Sequence, residues 1–259
     1  METVQRRPRL VELPGNRKNL AKSGTRALDV LEFVAQCQRP VRAVEVANAL
    51  HLQPSSADQL LKTLVDSGYL LFERDYKHYL PSPRLIRFSM WLSEYYYGSD
   101  NLVRLLSALS LRSGELVTLA APQGDVMQIV DFVDRPEGLD TVQKGLKVAM
   151  LRSALGITYL ASLSRPDLRH LLARLEAEQG HAALHMAETS AWIEDVRKRR
   201  YASGGLGAGS SAWSITMALP KAQNETSLVL GVSGVERRIR SREAELVEIM
   251  RNAIEEFLT

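Results

Sequence analysis

At 259 residues, with 45% hydrophobic and 24% charged side chains, the chain is long enough for two domains and apolar enough to give each a core. It has no apolar run near the roughly 20 residues of a membrane span, and no apolar stretch behind its N-terminal charges that would make a secretory signal. Its single cysteine, Cys37, excludes an internal disulfide framework, so a cytoplasmic location with no membrane partner is expected.

The net charge of +3 is unevenly spread. Residues 1–90 hold 14 Lys and Arg against 9 Asp and Glu, whereas residues 91–259 hold 19 against 21. The first third thus carries the basic excess that phosphate neutralisation requires. Residues 1–22 form a basic arm (Arg6, Arg7, Arg9, Arg17, Lys18, Lys22) broken by Pro8 and Pro14. Such an arm is expected to lack fixed structure when free, and either follows a DNA groove or is a solvated tail.

The first helix is predicted over residues 23–36, with Ala27, Leu28, Leu31 and Val34 or Ala35 toward a core and Arg39-Pro40 ending it. Cys37 reads as a packing residue, since a redox role needs a partner thiol or a cationic pocket. Residues 41–68 then organise the chain. Val44, Ala47 and Leu50 recur at helical spacing, His51-Leu52-Gln53-Pro54 interrupts, and Ala57, Leu60, Leu61, Leu64 and Val65 form a second helical face. Pro54 disfavours helix in Gln53, and Ser55-x-x-Asp58 matches a capping box, so the second helix is expected to start at Ser55 and stop at Gly68.

Two short helices around a tight turn form a helix-turn-helix, whose second helix turns Ser55, Ser56, Asp58, Gln59, Lys62 and Thr63 away from its apolar face. An ordinary helical hairpin is the alternative. A strand over 69–72, a turn over 73–77 and a strand over 78–80 stopped by Pro81 then make a wing tipped by Arg74 and Lys77. Arg26, on the first helix, is a further candidate for DNA contact. Residues 23–81 are read as one winged domain, and residues 82–98 as a linker helix whose apolar face suits a partner subunit.

Residues 99–259 read as an α+β domain on an antiparallel sheet. A helix over 102–111 precedes strands at 115–120 and 126–131 joined by the turn 121–125, with a further strand at 139–143. Helices follow at 152–162, 165–178 and 189–200. Strands at 214–219 and 227–233 pair, and Ser241 caps a closing helix ending near Phe257. No catalytic or cofactor motif is complete: Gly204–Gly209 lacks the lysine of a phosphate loop, and Gly231–Gly234 misses a nucleophile elbow by one glycine. His181 and His185 are spaced for one helix face, but surface histidines are common in so polar a segment, and no metal site is assigned.

In order, SGTRALDVLEFVA, RAVEVANAL and SSADQLLKTLVDSGYL resemble the IclR family of bacterial transcription regulators. The likeness continues through Asp131–Arg135, GLKVAMLRSALGITYLA at 145–161, Arg200-Tyr201-Ala202 and VLGVSG at 229–234, so it spans essentially residues 23–258. It implies a winged helix-turn-helix, a linker helix and a C-terminal GAF/profilin-like effector-binding domain, in a homodimer or dimer of dimers. The partners it implies are a double-stranded DNA operator and a small-molecule effector. Departures stand out. Gln59 replaces the family's usual arginine, Asp58 a bulky residue, Ile157 a lysine, and Ser203 to Gly209 an acidic stretch.

Carried over residue by residue, the family's pocket implies a cup lined by Met127, Ile129, Met150, Ser153, Ala154, Gly204, Ala212, Trp213, Ser214 and Ser233. Apolar walls with sparse hydroxyls suit a small aromatic or otherwise apolar metabolite, including a carboxylate held at the start of the helix near Arg152. Met127, Met150 and Trp213 are equally readable as plain core. The expected function is a ligand-responsive DNA-binding regulator rather than an enzyme. The alternative is an enzyme whose C-terminal domain turns over a small molecule, with the winged domain as accessory.

Overall fold

A computed structural model of the chain describes residues 21–87, 100–133, 146–179, 186–207, 212–220 and 227–258. The chain divides into two compact units, residues 1–92 and 93–259. The basic arm up to residue 20, most of the linker region, the strand expected at 139–143 and the pair His181 and His185 lie outside the described residues.

The first unit holds helices α1 (Lys22–Cys37), α2 (Ala43–Ala49) and α3 (Pro54–Asp66), then strands β1 (Leu70–Glu73) and β2 (His78–Pro81). Its core gathers Val30, Phe33, Val46, Leu61, Leu70 and Tyr79 with their neighbours. Two predicted faces are rotated. On α1 the buried stripe is Val30, Phe33 and Val34, while Leu28 is 63% exposed and Ala35 is exposed. Helical spacing fits both stripes, and the one containing the large Phe33 ring is buried. On α2, Val44 is 60% exposed and Val46 takes its place in the core, because seven residues are too few for periodicity to single out one face.

The turn between α2 and α3 is a Schellman closure. His51 adopts φ 50°, the Leu52 N–H bonds to the Ala47 carbonyl at 2.9 Å, and the His51 N–H bonds to the Asn48 carbonyl at 3.4 Å. Gln53 is extended, as a residue before proline must be, and Pro54 opens α3 at its first position, where its missing N–H costs nothing. Ser55 therefore lies inside the first turn and is not the cap. Asp58 forms no capping box either, its carboxylate bonding Lys62 at 2.7 Å instead. Gly68, at φ 76°, ends α3 as expected.

The hairpin pairs Leu70 with Pro81 through Glu73 with His78. A third short rung joins it, in which Val41 and Tyr79 exchange both backbone hydrogen bonds at 2.9 and 2.8 Å.

The second unit is an α+β domain. Helix α4 (Asn101–Ser113) leads into β3 (Leu116–Gln123), β4 (Val126–Val133) and β5 (Lys147–Ala149). Helices α5 (Ala154–Ser162), α6 (Arg165–Gln179) and α7 (Met186–Arg199) follow, then β6 (Ala202–Gly205), β7 (Ala212–Ala218), β8 (Val229–Val235), α8 (Glu236–Ser241) and α9 (Glu243–Leu258). The six strands are antiparallel in the order β5-β4-β3-β8-β7-β6. Helices cover both faces, α5, α6 and α7 on one and α4, α8 and α9 on the other.

Several local expectations change. The β3–β4 turn shrinks to Gly124-Asp125, with Gln123 opposite Val126. Lys147–Ala149 and the glycine-containing Ala202–Gly205, both read as non-strand, are edge strands, too short and too small-residued for alternation to reveal them. Ser241 ends α8, its hydroxyl donating to the Arg238 carbonyl at 3.0 Å, and does not cap the closing helix.

Candidate functional site

Two surfaces carry the sequence-derived candidates, one in each unit. In the first, α3 buries Ala57, Leu61 and Leu64 and leaves Ser55, Gln59, Lys62 and Thr63 exposed and Ser56 half-buried. The helix thus presents a polar ridge of hydrogen-bonding side chains set by its own 3.6-residue period. Asp58 beside Lys62 raises the lysine's pKa and keeps it charged, while offsetting part of the field a phosphate would meet. At the hairpin turn Arg74 and Lys77 are exposed, Lys77 in a left-handed conformation at φ 53°. Arg26 is exposed on α1. Cys37 is half-buried beside this unit's core, and burial raises its pKa, which makes it a poor nucleophile.

Two residues escaped the sequence reading. The Val41–Tyr79 rung turns Val41 and Tyr79 inward, so strand alternation turns the next residues, Arg42 and His78, outward together. The Arg42 Nε donates to His78 Nε2 at 3.2 Å. The available signal was a lone β-branched residue between Pro40 and the helix, followed by an arginine.

In the second unit, the cup candidates fall on the face covered by α5. Met127, Ile129, Met150, Ala154 and Ala212 belong to one core, and Ser153, Ser214 and Ser233 are fully buried beside it. A bulge between Leu119 and Ala120 keeps Ile129 and Phe132 on this same face despite their odd spacing. Trp213 does not join them. It alternates to the opposite face, where its indole N–H donates to Ser203 Oγ at 3.0 Å and the Arg240 guanidinium stacks 3.8 Å from its ring.

The buried hydroxyls are already paired. Ser214 and Ser233 Oγ lie 2.6 Å apart. Ser153 Oγ donates to the Ala149 carbonyl at 2.8 Å and accepts the Gly156 N–H at 3.2 Å. The start of α5 is therefore capped by its own serine, one residue past the predicted Arg152, whose side chain is exposed. Thr216 Oγ1 donates to the Ala154 carbonyl at 3.0 Å and sits 2.6 Å from Thr158 Oγ1, fastening α5 to β7.

Two glycines permit the tight packing. A Cβ on Gly156 would stand 1.9 Å from the Met150 carbonyl oxygen, and one on Gly204 would stand 2.7 Å from the Trp192 ring. Gly204 lies on β6 against α7, part of the wall of the same face. Among the described residues, no group of three or more His, Cys, Asp or Glu side chains is placed to hold a metal.

Comparison with known proteins agrees across both units. Residues 23–74 match the IclR helix-turn-helix domain, and residues 101–257 match the bacterial transcriptional regulator IclR C-terminal domain. No curated protein matches the chain. Among solved structures, an IclR-family transcriptional regulator from Brucella abortus aligns with TM-score 0.55 and 16% identity, over 93% of this chain and 92% of that one. The IclR of Thermotoga maritima aligns with TM-score 0.55 and 20% identity, over 91% and 97%. An IclR transcriptional regulator from Alicyclobacillus acidocaldarius gives 0.52 and 20%, over 92% and 96%.

Proposed function

Since the chain belongs to the IclR family, as a DNA-binding transcription regulator with a C-terminal effector domain, we propose that α3 reads an operator and the α5 face of the sheet receives a small metabolite. Ser55, Ser56, Gln59 and Lys62 enter the major groove, with Gln59 suited to bidentate bonding of adenine N6 and N7. Arg26, Arg74 and Lys77 bind phosphates and fix the register. The observation that carries this reading is the division of α3 into a buried apolar side and an exposed row of Ser55, Gln59 and Lys62.

The chain acts as a homodimer or dimer of dimers, because paired recognition helices about 34–36 Å apart read half-sites one helical turn apart. Residues 82–98 link the winged and effector domains.

The effector is small and largely apolar or aromatic. Met127, Ile129, Met150, Ser153, Ala154, Gly204, Ala212, Ser214 and Ser233 line its cup, and Trp213 is removed from that set. These groups are buried, and the Ser153, Ser214 and Ser233 hydroxyls are paired within the protein, so a ligand on this face has to open it. A ligand must displace the Ser214–Ser233 bond and repack the methionines, so it acts by favouring an open population. Binding without turnover is the reading favoured by the pairing of Ser214 with Ser233, since a nucleophilic serine needs a base and neither hydroxyl bonds one among the described residues.

The test is selection of binding sites from a random duplex library, with mass measurement of the complex. The wild type should enrich a two-fold symmetric site. Gln59→Ala with Lys62→Ala should lose that site while melting as the wild type does. Enrichment of the same site by the double variant would remove α3 as the reading element.

A further inference from the structure

We infer that Arg42, aimed by His78, is a phosphate clamp at the flank of the wing. The inference rests on the DNA-binding reading above and adds a contact that the recognition helix does not supply. Its basis is a cross-strand row. The two-way Val41–Tyr79 rung fixes the backbone of residue 42 against β2, and the hairpin register places Glu73 opposite His78. Alternation therefore lines up Arg42, His78 and Glu73 side by side on the outward surface, next to Lys77.

The charges in this row are not equivalent. The neighbouring Arg39 is bound to the Glu45 carboxylate at 2.5 and 3.4 Å, and that carboxylate also accepts the Arg42 backbone N–H at 2.8 Å. Glu45 is thus committed to Arg39 and to the start of α2. The Arg42 side chain is given a hydrogen-bond acceptor, His78 Nε2, which orients one edge of its fork and neutralises none of its charge. Among the described residues the two terminal nitrogens of Arg42 have no acceptor, and they suit a phosphate, which arginine binds bidentately. Glu73 in the same row opposes an approaching phosphate, which gives the inference a second, opposite handle.

The experiment uses the full chain and a labelled mixed-sequence duplex of about 30 base pairs, because phosphate contacts are independent of sequence. Affinity is followed by anisotropy as salt rises from about 50 to about 200 mM. Arg42→Gln keeps a donor for His78 and deletes the charge. It should flatten the log–log salt dependence by about 0.9 and weaken binding about tenfold at the lowest salt. His78→Ala should lose part of that affinity, and His78→Gln, which restores an acceptor, should recover it. Glu73→Gln should strengthen binding.

An Arg42→Gln slope equal to the wild type's overturns the clamp, as does a Glu73→Gln affinity that does not rise. Those failures leave the recognition helix standing if Gln59→Ala with Lys62→Ala still loses the selected site. A wild type that binds no duplex at all overturns both readings.

Discussion

The buried carboxylate at the start of β3 yields a counterintuitive prediction. Glu115 is 2% exposed, and Arg238 grips it at 2.7 and 2.5 Å while its own side chain stays 52% exposed. Arg242 stands 3.4 Å away and is mainly engaged by Glu245, at 2.6 and 3.0 Å, and by the Ser113 carbonyl. Removing the buried partner, Glu115→Ala, loses charge-assisted hydrogen bonds worth about 1.5–3 kcal/mol, but Arg238 can turn to water and Arg242 keeps its other bonds. Removing the exposed partner, Arg238→Ala, leaves a buried carboxylate with only the 3.4 Å contact to Arg242, a cation already shared with Glu245, and its cost approaches the ~3–5 kcal/mol of a broken buried pair. The surface substitution should therefore be the worse by about 1–2 kcal/mol, and adding Glu115→Ala to it should restore stability to the level of Glu115→Ala alone. Urea unfolding in a Trp91→Phe background isolates the signal, since the remaining Trp192 and Trp213 both belong to the second unit. A double variant with the summed cost of both singles, or an Arg238→Ala milder than Glu115→Ala, would refute the reasoning.

Further outcomes follow from the same geometry. Asp58→Asn should release Lys62 and raise duplex affinity by up to about fivefold, the worth of one exposed ion pair; anisotropy at low salt measures it, and no change would mean Lys62 does not approach DNA. Ser214→Ala should cost about 1–3 kcal/mol by leaving the Ser233 hydroxyl buried and unpaired, and Ser214→Ala with Ser233→Ala should recover most of it in the same unfolding assay. Gly156→Ala forces a Cβ to within 1.9 Å of a backbone oxygen and should destabilise the second unit by at least about 3 kcal/mol; a wild-type melt would contradict the packing of α5. Arg39 first, and then the Arg42 N–H, hold the Glu45 carboxyl below its ordinary pKa. Its stabilisation is therefore present above the ordinary carboxylate range and disappears as pH falls through the depressed value. Glu45→Gln should be less stable than wild type by under about 1 kcal/mol near neutrality, with the gap closing in acid; a gap that widened in acid would reverse the sign of the argument.

How much of this was legible in the sequence depended on whether neighbours along the chain or neighbours across the sheet decide the outcome. The helix-turn-helix was readable because Pro54, Gly68 and the Ala57–Leu61–Leu64 spacing act locally. The cap falls at Gln53, two residues before the expected Ser55, because proline at the first helical position competes with serine for the same signal. Leu28 and Val44 read as core residues because their spacing is as good as that of the residues buried in their stead. The stripe with the large Phe33 ring on α1 and the one with Val46 on the short α2 are the buried ones, a choice that packing in three dimensions makes. The Val41–Tyr79 rung hid Arg42 and His78, which are 36 residues apart in the chain and adjacent in space.

The second unit shows why an inherited pocket must be checked for parity. Ala212, Trp213 and Ser214 are consecutive, yet a strand sends the middle one to the opposite side of the sheet. Trp213 now packs under Arg240 on the face of α8 and α9, while Ala212 and Ser214 lie beneath α5. A substitution at Trp213 thus tests the outer helical layer, and one at Ser214 or Ser233 tests the proposed cup. The two sites differ by a single step along one strand, so Trp213→Phe should leave a metabolite-induced melting shift intact where Ser214→Ala alters it. Equal effects of the two substitutions would mean that the ligand is read by the sheet as a whole and not by its α5 face.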